Sequence, residues 1–480
     1  MKIVMASSEI KPFSSTGGLG EVVYSLSKEL AKLDNELILI SPLYSTAKES
    51  LKRRNVKLKK ICEIETRMSW RLQKGKVYEC KYEGLKFYFV SNDYYFNRAQ
   101  IYGYGDDGER FAYFCLAVKE ICIHLNISPD ILHVHDWQTA FIPVLVKEDR
   151  ENWEKFFDDT KFILTIHNPA FKGYLDPYFL SNFFNLPDNI FYDGKVRLDD
   201  QVSTLKAGII YSDKVTTVSP THKNELLYDV FGFGLSGALK IKGGSFVGIK
   251  NGINTEGYSP EHDSKIAANY GLIDVNEGKA KCKKALFKNI KHKNNNVPVF
   301  GLVSRLTDQK GIKILIPSIR ERLEMGDVFA IVGNGDYCYE KELEILKNEY
   351  PTQVFLFIGY DDDKARQVFS ASDFFLMPSF FEPCGIGQMM AQRYGTIPIA
   401  RRTGGLADSI DDYSEYGIKS NGILFTDFDK NAVDYGFETA IEIFENKSIL
   451  TKIRKNCLET DNSWTKSAKL YLHLYRSAIK

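Results

Sequence analysis

Two segments of the chain, Ser379-Phe380-Phe381-Glu382-Pro383-Cys384-Gly385 and Arg401-Arg402-Thr403-Gly404-Gly405-Leu406, are the most informative about its fold. Each closely follows a short apolar run, at 374–377 and 397–400, that is typical of a buried strand. In parallel α/β sheets, ligands bind beyond the carboxyl ends of the strands. Glycines there let backbone amides approach a phosphate, and a carboxylate such as Glu382 can accept hydrogen bonds from hydroxyl groups. The two segments therefore predict a parallel α/β fold with a ligand site at one edge of a sheet.

The rest of the chain alternates between strand and helix patterns. After an apolar N-terminal run, for example, Val22, Leu26 and Leu30 follow at helical spacing within 21–33. Such alternation favours parallel sheets covered by helices on both faces. The strands that we predict lie at 1–6, 36–42, 87–91, 130–135, 161–167, 214–219, 297–302, 328–332, 354–358, 374–377 and 397–400.

The length of 480 residues exceeds what one hydrophobic core ordinarily supports, so we predict two domains. A glycine-rich stretch at 242–252 interrupts the alternation and marks the boundary. We assign 1–245 to an N-terminal Rossmann-like domain and 246–450 to a C-terminal one. The remaining segment, 451–480, has helical periodicity, and this C-terminal helix is long enough to pack back on the N-terminal domain.

The composition argues against several classes of partner. The chain has 63 Lys and Arg against 62 Asp and Glu, a formal net charge of +1, so no global field attracts nucleic acid or an anionic membrane. No run approaches the ~20 apolar residues of a membrane span, and the N-terminal apolar run is too short for a signal peptide. None of the eight cysteines forms a C-x-x-C pair, which indicates reduced thiols in a cytoplasmic protein.

Two cations occupy the predicted turn Ser304-Arg305-Leu306-Thr307-Asp308-Gln309-Lys310-Gly311 after another strand. Taken singly, exposed Arg and Lys side chains are usually only solvated. Together in one open post-strand loop, Arg305 and Lys310 suit a diphosphate leaving group, because they would stabilise negative charge that develops as a bond breaks.

A third glycine turn, Thr16-Gly17-Gly18-Leu19-Gly20, follows the first strand and precedes a helix. Backbone amides at such a helix start can bind a phosphate. Taken alone, a Gly-Gly pair is more often just an ordinary turn, so this segment supports a phosphate site only together with the others.

Histidines cluster at two further strand ends, in His133-Val134-His135-Asp136-Trp137 and in Thr165-Ile166-His167-Asn168. His133 and His135 share one strand face, as two zinc ligands do, but no third ligand follows at motif spacing, so we predict no metal site. Asp136 could bind hydroxyls and Trp137 could stack on a sugar ring; the alternative is a capped helix start with one core Trp.

These segments together resemble bacterial glycogen synthases and plant starch synthases, and the resemblance extends over nearly the whole chain. The resemblance implies the GT-B architecture, in which two Rossmann-like domains face a cleft. It also implies ADP-glucose as donor, an α-1,4-glucan such as glycogen as acceptor, transfer of glucose with retention of configuration, and no metal or other cofactor. Further segments that carry it are Gly105-Asp106-Asp107-Gly108-Glu109-Arg110-Phe111, Lys214-Val215-Thr216-Thr217-Val218-Ser219-Pro220, Asn251-Gly252-Ile253-Asn254 and Gly333-Asn334-Gly335-Asp336.

The resemblance also assigns roles to individual residues. The first domain becomes the acceptor side and the second the nucleotide-sugar side. The catalytic residues that it implies are His167, Arg305, Lys310 and Glu382. The donor-binding residues are Ser15, Thr16, Gly17, Gly18, Asn251, Gly333, Cys384, Gly385, Thr403, Gly404 and Gly405. The acceptor-binding residues are Glu21, Asp136 and Trp137.

The sequence departs from the family pattern at four positions. Ser15 stands where the family usually has a phosphate-contacting Lys, and Glu21 stands where it has Asp. Gly387 replaces the usual Thr or Ser, and Asn254 replaces an Asp. These departures indicate a divergent member of the family.

The leading interpretation is a glycogen synthase that elongates an α-1,4-glucan from ADP-glucose. Two alternatives stay open at the level of sequence. One is a related glycosyltransferase that uses UDP-glucose or another acceptor; the other is a weakly active protein that binds glucan. Donor selectivity, turnover, the effect of Ser15, chain-length preference and oligomeric state are not encoded in any motif that we identify.

Overall fold

The computed structural model describes residues 1–148 and 156–480, which form two compact units. The first unit comprises Met1–Asn251 together with Trp464–Lys480, and the second comprises Gly252–Ser463. The sequence interpretation divides the domains at 245/246 instead. The later boundary has a clear cause, because the strand Phe246–Gly248 pairs in parallel with Lys214–Thr217 and so completes the sheet of the first unit.

The α/β class is confirmed in both units. The strands of the first unit are β1 (Lys2–Ala6), β2 (Glu36–Pro42), β3 (Lys59–Met68), β4 (Arg71–Tyr82), β5 (Leu85–Ser91), β6 (Ile131–His135), β7 (Lys161–Ile166), β8 (Tyr174–Leu175), β9 (Arg197–Leu198), β10 (Gln201–Ser203), β11 (Lys214–Thr217) and β12 (Phe246–Gly248).

Most of these strands form one nine-stranded sheet in the order β12-β11-β7-β6-β1-β2-β5-β4-β3. The pairs from β12 to β5 are parallel. Strand β1 lies between β2 and β6, so the connections diverge there, and this is where ligands bind in open α/β sheets.

The antiparallel edge of this sheet is a feature that the sequence interpretation missed. Strand β4 pairs antiparallel with both β3 and β5, and β8, β10 and β9 form a separate small antiparallel sheet. Along β3, Ile64, Thr66 and Met68 are buried while the residues between them are exposed. Charged residues fill the exposed face of this edge strand, so its sequence lacks the continuous apolar run by which the central parallel strands are identified.

Helices cover the first unit's sheet. Their bounds are Gly18–Ala31, Ser45–Arg53, Asp93–Phe96, Asp107–His124, Asp136–Thr139, Ile142–Glu148, Phe179–Phe183, Asn189–Tyr192, Thr204–Tyr211, Pro220–Glu225, Asp229–Gly232, Ser236–Lys242 and Trp464–Ile479, with a 3₁₀ turn at Gly243–Ser245.

The second unit has a single parallel sheet in the order β15-β14-β13-β16-β17-β18. Its strands are β13 (Val299–Val303), β14 (Val328–Gly333), β15 (Val354–Ile358), β16 (Phe374–Met377), β17 (Ile397–Arg401) and β18 (Ile423–Phe425). Two apolar clusters, one containing Phe300 and the other Phe375, form the core of this unit. The connections diverge between the neighbouring strands β13 and β16, which makes the carboxyl ends of these two strands the expected ligand edge.

The helices of the second unit alternate with its strands. Their bounds are Val275–Ile290, Ile312–Glu324, Tyr337–Glu349, Asp362–Ala371, Gly387–Arg393, Gly404–Ser409, Tyr413–Tyr416, Lys430–Glu445 and Lys447–Glu459, with 3₁₀ turns at Asp308–Lys310 and Gly417–Lys419.

The C-terminal segment is two helices rather than one. Lys447–Glu459 belongs to the second unit, and Trp464–Ile479 belongs to the first. The break coincides with a local turn in which the Ser463 amide donates to the Asp461 carboxylate at 2.9 Å. Tyr475 on the last helix is fully buried, and its hydroxyl lies 2.8 Å from Nδ1 of His133.

All eight cysteines lie in the described part of the chain and are free thiols. Across residues 1–148 and 156–480, no helix combines the length and the apolar character that a bilayer crossing requires.

Docking of the last helix on the first unit predicts a graded loss of stability at Tyr475. Tyr475→Ala should lower the free energy of unfolding by ~3–5 kcal/mol, because it removes a buried aromatic ring. Tyr475→Phe should lower it by ~1–3 kcal/mol, because it leaves a buried nitrogen of His133 without its partner. Ile479→Ala, at a side chain that is 42% exposed, should change it by less than ~0.5 kcal/mol. Urea titrations followed by circular dichroism measure all three, and equal effects of the two Ala variants would contradict the docking.

Candidate active site

The carboxyl ends of β13 and β16 bring two predicted catalytic residues into contact. Lys310 lies in the turn after β13 and Glu382 in the loop after β16, and Lys310 Nζ lies 2.5 Å from Glu382 Oε2. Ser379 Oγ donates to the same carboxylate oxygen at 3.0 Å. The Lys310 side chain is only 15% exposed and that of Glu382 only 8%. The open loop that the sequence suggests for Lys310 is therefore wrong, because the side chain is held in a partly buried ion pair.

Close backbone packing joins the two loops. A Cβ atom on Gly311, which has φ 72°, would lie 2.0 Å from the carbonyl oxygen of Pro378, so only glycine fits this crossing. The Phe380 amide donates to the Gln309 carbonyl at 2.8 Å. The Gln309 side chain donates in turn to the Phe381 carbonyl at 3.3 Å.

Arg305 is a second cation at this edge and, unlike Lys310, it is exposed and unpaired among the described residues. Its side chain is exposed and forms no ion pair with any residue that the structure describes. Its guanidinium donates only weakly to Gln309 Oε1, at 3.4 Å. The charge of Arg305 is therefore available to an anion, whereas an anion that approaches Lys310 competes with Glu382.

The predicted donor-binding glycines of the second unit surround the same pair. The Gly405 amide donates to the Glu382 carbonyl at 3.1 Å, and a Cβ on Gly405 would lie 2.0 Å from the Cys384 carbonyl oxygen. A Cβ on Gly333 would likewise lie 2.0 Å from the Ser304 carbonyl oxygen. These positions need glycine for close backbone approach.

Neighbouring predicted residues complete this edge. Gly385 and Gly404 both have positive φ, 69° and 44°, and Thr403 and Cys384 are buried beside them. Cys384, Gly385, Thr403, Gly404 and Gly405 thus form one continuous wall next to Glu382.

Gln388 supports this wall and was not identified from sequence as a site residue. Its buried amide donates to the carbonyls of Cys384 and Gly385, at 3.1 and 2.9 Å, and to Ser409 Oγ at 3.1 Å. At the departure Gly387, a Cβ would lie 3.1 Å from the ring of Phe375, so the larger residue usual in the family requires the ring to shift.

In the first unit, the turn after β1 is organised by Glu9, which the sequence interpretation did not identify. The Glu9 carboxylate is buried and accepts hydrogen bonds from the Thr16 amide and, at 2.8 Å, from the Thr16 hydroxyl. Ser15, Thr16, Gly17 and Gly18 are exposed, and Ser15 Oγ donates to the Gly17 carbonyl at 2.9 Å. The position of Glu9, three residues after the end of β1, was the feature of the sequence that could have identified it as a site residue.

Glu21 lies one helical turn from these exposed residues but is engaged with protein groups. Its carboxylate lies 3.0 Å from Lys11 Nζ and accepts a hydrogen bond from Ser25 Oγ at 2.6 Å. For Glu21 to bind the acceptor, as predicted, either its ion pair with Lys11 must open or its carboxylate oxygens must accept a further hydrogen bond.

A cavity of about 660 Å³ adjoins the same turn. Its lining includes Ser15 and Thr16 together with the cations Lys11, Arg53 and Arg54. Arg53 and Arg54 come from the end of a separate helix, so no sequence motif connects them with the glycine turn. They place positive charge near Ser15, the position at which the family's Lys is missing.

Asp136 organises the neighbouring strand ends. Its Oδ1 accepts hydrogen bonds from the amides of His167 and Asn168 at 2.7 and 3.3 Å, and its backbone has φ 53°. Burial raises the pKa of the Asp136 carboxyl to about 7, although these two amides oppose the shift. Trp137 packs edge-on against Phe111, with ring centroids 5.2 Å apart. Of the predicted acceptor residues, Asp136 thus contacts His167 directly, whereas Trp137 packs against Phe111.

The histidines belong to two separate hydrogen-bonded groups, one containing His133 and the other containing His135 and His167. His133 uses both ring nitrogens, toward Tyr475 at 2.8 Å and Thr165 at 2.6 Å, and His135 Nδ1 lies 3.1 Å from His167 Nε2. Burial lowers the pKa of His133 and of His167 to about 3, so both rings are neutral near pH 7. Within the described ranges, no three or more His, Cys, Asp or Glu side chains are placed to share a metal ion.

The predicted donor residue Asn251 ends the first unit. It is buried, and its side-chain oxygen accepts no hydrogen bond from the part of the chain that the structure describes. The donor-binding roles of Asn251 and of the first-unit turn remain predictions.

The raised pKa of Asp136 predicts a specific pH dependence of stability. The carboxyl of an unfolded Asp has a pKa of about 3.9, so between about pH 4 and pH 7 the folded state binds an extra proton and the free energy of unfolding falls as the pH rises. Asp136→Asn removes this titration. The unfolding free energy of the wild type relative to Asp136→Asn should therefore decrease across that window, by at most ~4 kcal/mol, and level off above it.

Urea midpoints at several pH values measure this difference, with Asp200→Asn, at a side chain 93% exposed, as the matched control. A difference that instead increases with pH would mean that the two amides, rather than burial, dominate the titration of Asp136.

Comparisons with known proteins agree with these features. Residues 2–241 match the family model of the starch synthase catalytic domain, and residues 283–456 match that of glycosyl transferases group 1. Glycogen synthases from Bacillus cereus and Clostridium kluyveri are each 40% identical to this chain, over 100% of both sequences. The glycogen synthase of Streptococcus mutans is 38% identical over 99% of both.

Solved structures give the same result. The catalytic domain of starch synthase IV from Arabidopsis thaliana, bound to ADP and acarbose, is 32% identical and superposes with a TM-score of 0.90 over 100% of this chain and 99% of that one. Sucrose-phosphate synthase from Thermosynechococcus elongatus, at 16% identity and a TM-score of 0.60 over 99% of this chain and 98% of that one, shares the fold. These matches confirm the predicted GT-B fold, and the chain belongs to the glycogen and starch synthase family of glycosyltransferases.

Proposed function

We propose that this protein is a glycogen synthase that transfers glucose from ADP-glucose to the non-reducing end of an α-1,4-glucan with retention of configuration. The observation that carries the proposal is the edge formed by β13 and β16. There an available cation, Arg305, lies in the same turn as Lys310, which pairs with Glu382 beside a wall of glycine backbone. The likeness to a starch synthase domain solved with ADP and acarbose supports the choice of nucleotide.

In this proposal, Arg305 and Lys310 bind the diphosphate and stabilise it as it leaves. The bond between the anomeric carbon and the diphosphate oxygen breaks, and its electron pair stays on the diphosphate. Positive groups placed where that charge develops lower the barrier more than they stabilise the bound donor. Two cations supply this charge without a metal ion, so we propose that the reaction requires none.

We propose that Glu382 pairs with Lys310 before the donor binds and accepts hydrogen bonds from the donor sugar afterwards. It is held by Lys310 and Ser379, so its carboxylate is oriented before any ligand arrives. Hydroxyl groups of the donor sugar can donate to such a carboxylate. When the diphosphate attracts Lys310, the ion pair between Lys310 and Glu382 weakens. Hydrogen bonds from the sugar hydroxyls to Glu382 then replace part of it.

On the acceptor side, we propose that the glucan 4-hydroxyl attacks the anomeric carbon on the face from which the diphosphate departs. Its proton passes to an oxygen of the leaving diphosphate, which balances the exchange. The neutral His167 ring, positioned through its own amide by Asp136 and through Nε2 by His135, lines this first-unit edge. Trp137, the residue after Asp136, offers an apolar ring to a sugar.

The free thiols suit a reducing compartment, and we propose that the protein works in the cytoplasm with the nucleotide sugar and glycogen as its ligands.

The proposed reaction is tested by supplying the purified protein with ADP-glucose or UDP-glucose, each with and without glycogen and each with and without EDTA. We expect labelled glucose to enter glycogen from ADP-glucose, nucleotide release to depend on glycogen, and EDTA to have no effect. Proton NMR of the product should show new α-1,4 linkages. Faster transfer from UDP-glucose would favour the related transferase, and glycogen binding without transfer from either donor would favour the glucan-binding protein.

The role of Lys310 predicts that Lys310→Ala lowers kcat by ~10²-fold, since loss of one such charge costs ~3 kcal/mol of transition-state stabilisation. The variant should also melt earlier, because it leaves the Glu382 carboxylate buried without its cation. Adding Glu382→Gln should restore the melting temperature but not kcat. Lys313→Ala, at an exposed lysine on the following helix, is the control and should change neither. Near-normal kcat in Lys310→Ala would reject the leaving-group role.

A further inference from the structure

A second cavity in the second unit lies at the opposite edge of the sheet from the candidate active site. Asp373 immediately precedes β16, and its Oδ2 accepts a hydrogen bond at 2.9 Å from the amide of Val299, the first residue of β13. Asp373 lines a cavity of about 320 Å³ at these amino ends, beside the helices Val275–Ile290 and Lys447–Glu459. Lys310 and Glu382 follow the carboxyl ends of the same two strands, so the cavity is a separate place in the fold.

The charges that line this cavity are unbalanced. Among the described residues, its lining includes four cations, Lys279, Lys283, Lys447 and Arg454, but only one carboxylate, Asp373. Lys283 Nζ lies 2.8 Å from Asp373, and Arg454 forms an ion pair with the same carboxylate. Apart from Lys447, which is exposed, these side chains are all more than nine-tenths buried. A single negative charge thus serves two buried cations, Lys283 and Arg454, and burial of uncompensated charge is unfavourable.

Arg454 also has an unused donor. Its guanidinium donates through Nη1 to Asn276 Oδ1 at 2.9 Å and through Nη2 to Asp373. Its Nε is buried and has no acceptor among the residues that the structure describes. Most buried polar groups in proteins have a partner, so an unpaired guanidinium nitrogen beside a cavity indicates a missing acceptor.

The third buried cation, Lys279, has all its hydrogen-bond acceptors within the protein. Its Nζ lies within hydrogen-bond distance of Thr396 Oγ1, at 2.6 Å, and of three backbone carbonyls, which is enough for its three N–H donors. Burial lowers its pKa to about 7, and the charge of Arg454 contributes to the same shift. Partial desolvation also lowers the pKa of the exposed Lys447, with Lys283 and Arg454 adding to the shift and Asp373 opposing it. These directions agree with an excess of positive charge around the cavity.

We propose that this cavity binds a tetrahedral oxoanion, either inorganic phosphate or the phosphate of a small phosphomonoester. Arg454 Nε and Lys447 would donate to it, while Lys283 and Asp373 keep their present pairing. The cavity is at the low end of the size range of small-molecule sites, so it admits a phosphate group but not a nucleotide sugar. Guanidinium is the side chain best suited to phosphate oxygens, because its N–H groups are fixed in a planar fork.

The experiment measures phosphate binding by isothermal titration calorimetry in a chloride buffer with the full-length protein. Lys447→Glu places a negative charge at the mouth of the cavity, and we expect it to weaken phosphate binding by at least about tenfold. Lys452→Glu makes the same change at an exposed position of the same helix outside the cavity, and it should leave binding unchanged. Arg305→Ala, which affects the candidate active site, should also leave this binding unchanged.

A second variant tests the unpaired nitrogen. Arg454→Lys keeps a positive charge near Asp373 but removes the Nε donor, so it should retain the wild-type circular dichroism spectrum and lose phosphate affinity. Lys447→Glu, at an exposed side chain, keeps the test decisive if Arg454→Lys does not fold. Titration with glucose 1-phosphate identifies the source of the phosphate group: tighter binding than inorganic phosphate indicates a phosphomonoester, and weaker binding indicates the free ion.

Three results would overturn the proposal. One is no binding of either probe up to about 10 mM, a range that detects a Kd of about 1 mM. Another is an equal loss of affinity in Lys447→Glu and Lys452→Glu, which indicates a general charge effect. The third is a loss confined to Arg305→Ala, which places the bound phosphate at the candidate active site.

Discussion

Parallel strand pairing is the constraint on which the candidate site depends. Because β13 and β16 are parallel neighbours, the segments that follow them emerge at the same edge of the sheet. Lys310 and Glu382, far apart in sequence, therefore meet at 2.5 Å. Gly311 allows this meeting, because any larger residue would collide with the Pro378 carbonyl. The ion pair is thus a consequence of strand order and of backbone packing, and not only of attraction between two charges.

The same strands organise the other edge of the sheet differently. At their amino ends, Asp373 is bound by Lys283, Arg454 and the amide of Val299, all nearly or wholly buried. At their carboxyl ends the cations are only partly neutralised, since Arg305 has no ionic partner among the described residues. One edge therefore has a pre-formed ionic network with an excess of positive charge, and the other keeps a cation available for a ligand. This difference separates a candidate catalytic edge from a candidate anion pocket.

Around the histidines of the first unit, burial rather than charge determines the protonation state of the side chains. The neutral rings of His133 and His167 follow from desolvation, and their nitrogens are paired with hydroxyls or with another histidine. Asp136 is buried as well, yet it holds the His167 amide. Hydrogen bonds thus replace ionic contacts at this edge, and the last helix contributes to them through Tyr475. Such a network can orient a side chain without carrying charge of its own.

The sequence by itself determined the α/β class, the central strands, the glycine turns and the family, because each is encoded by residues close together in the chain. It did not predict β3 and β4, whose charged outer faces hide their strand pattern. Only the tertiary structure decided which charges meet: that Lys310 is paired, that Glu21 is bound by Lys11, and that Arg53 adjoins the glycine turn. The physical reason is that neutralisation and burial depend on residues brought together by strand order, which local patterns do not specify.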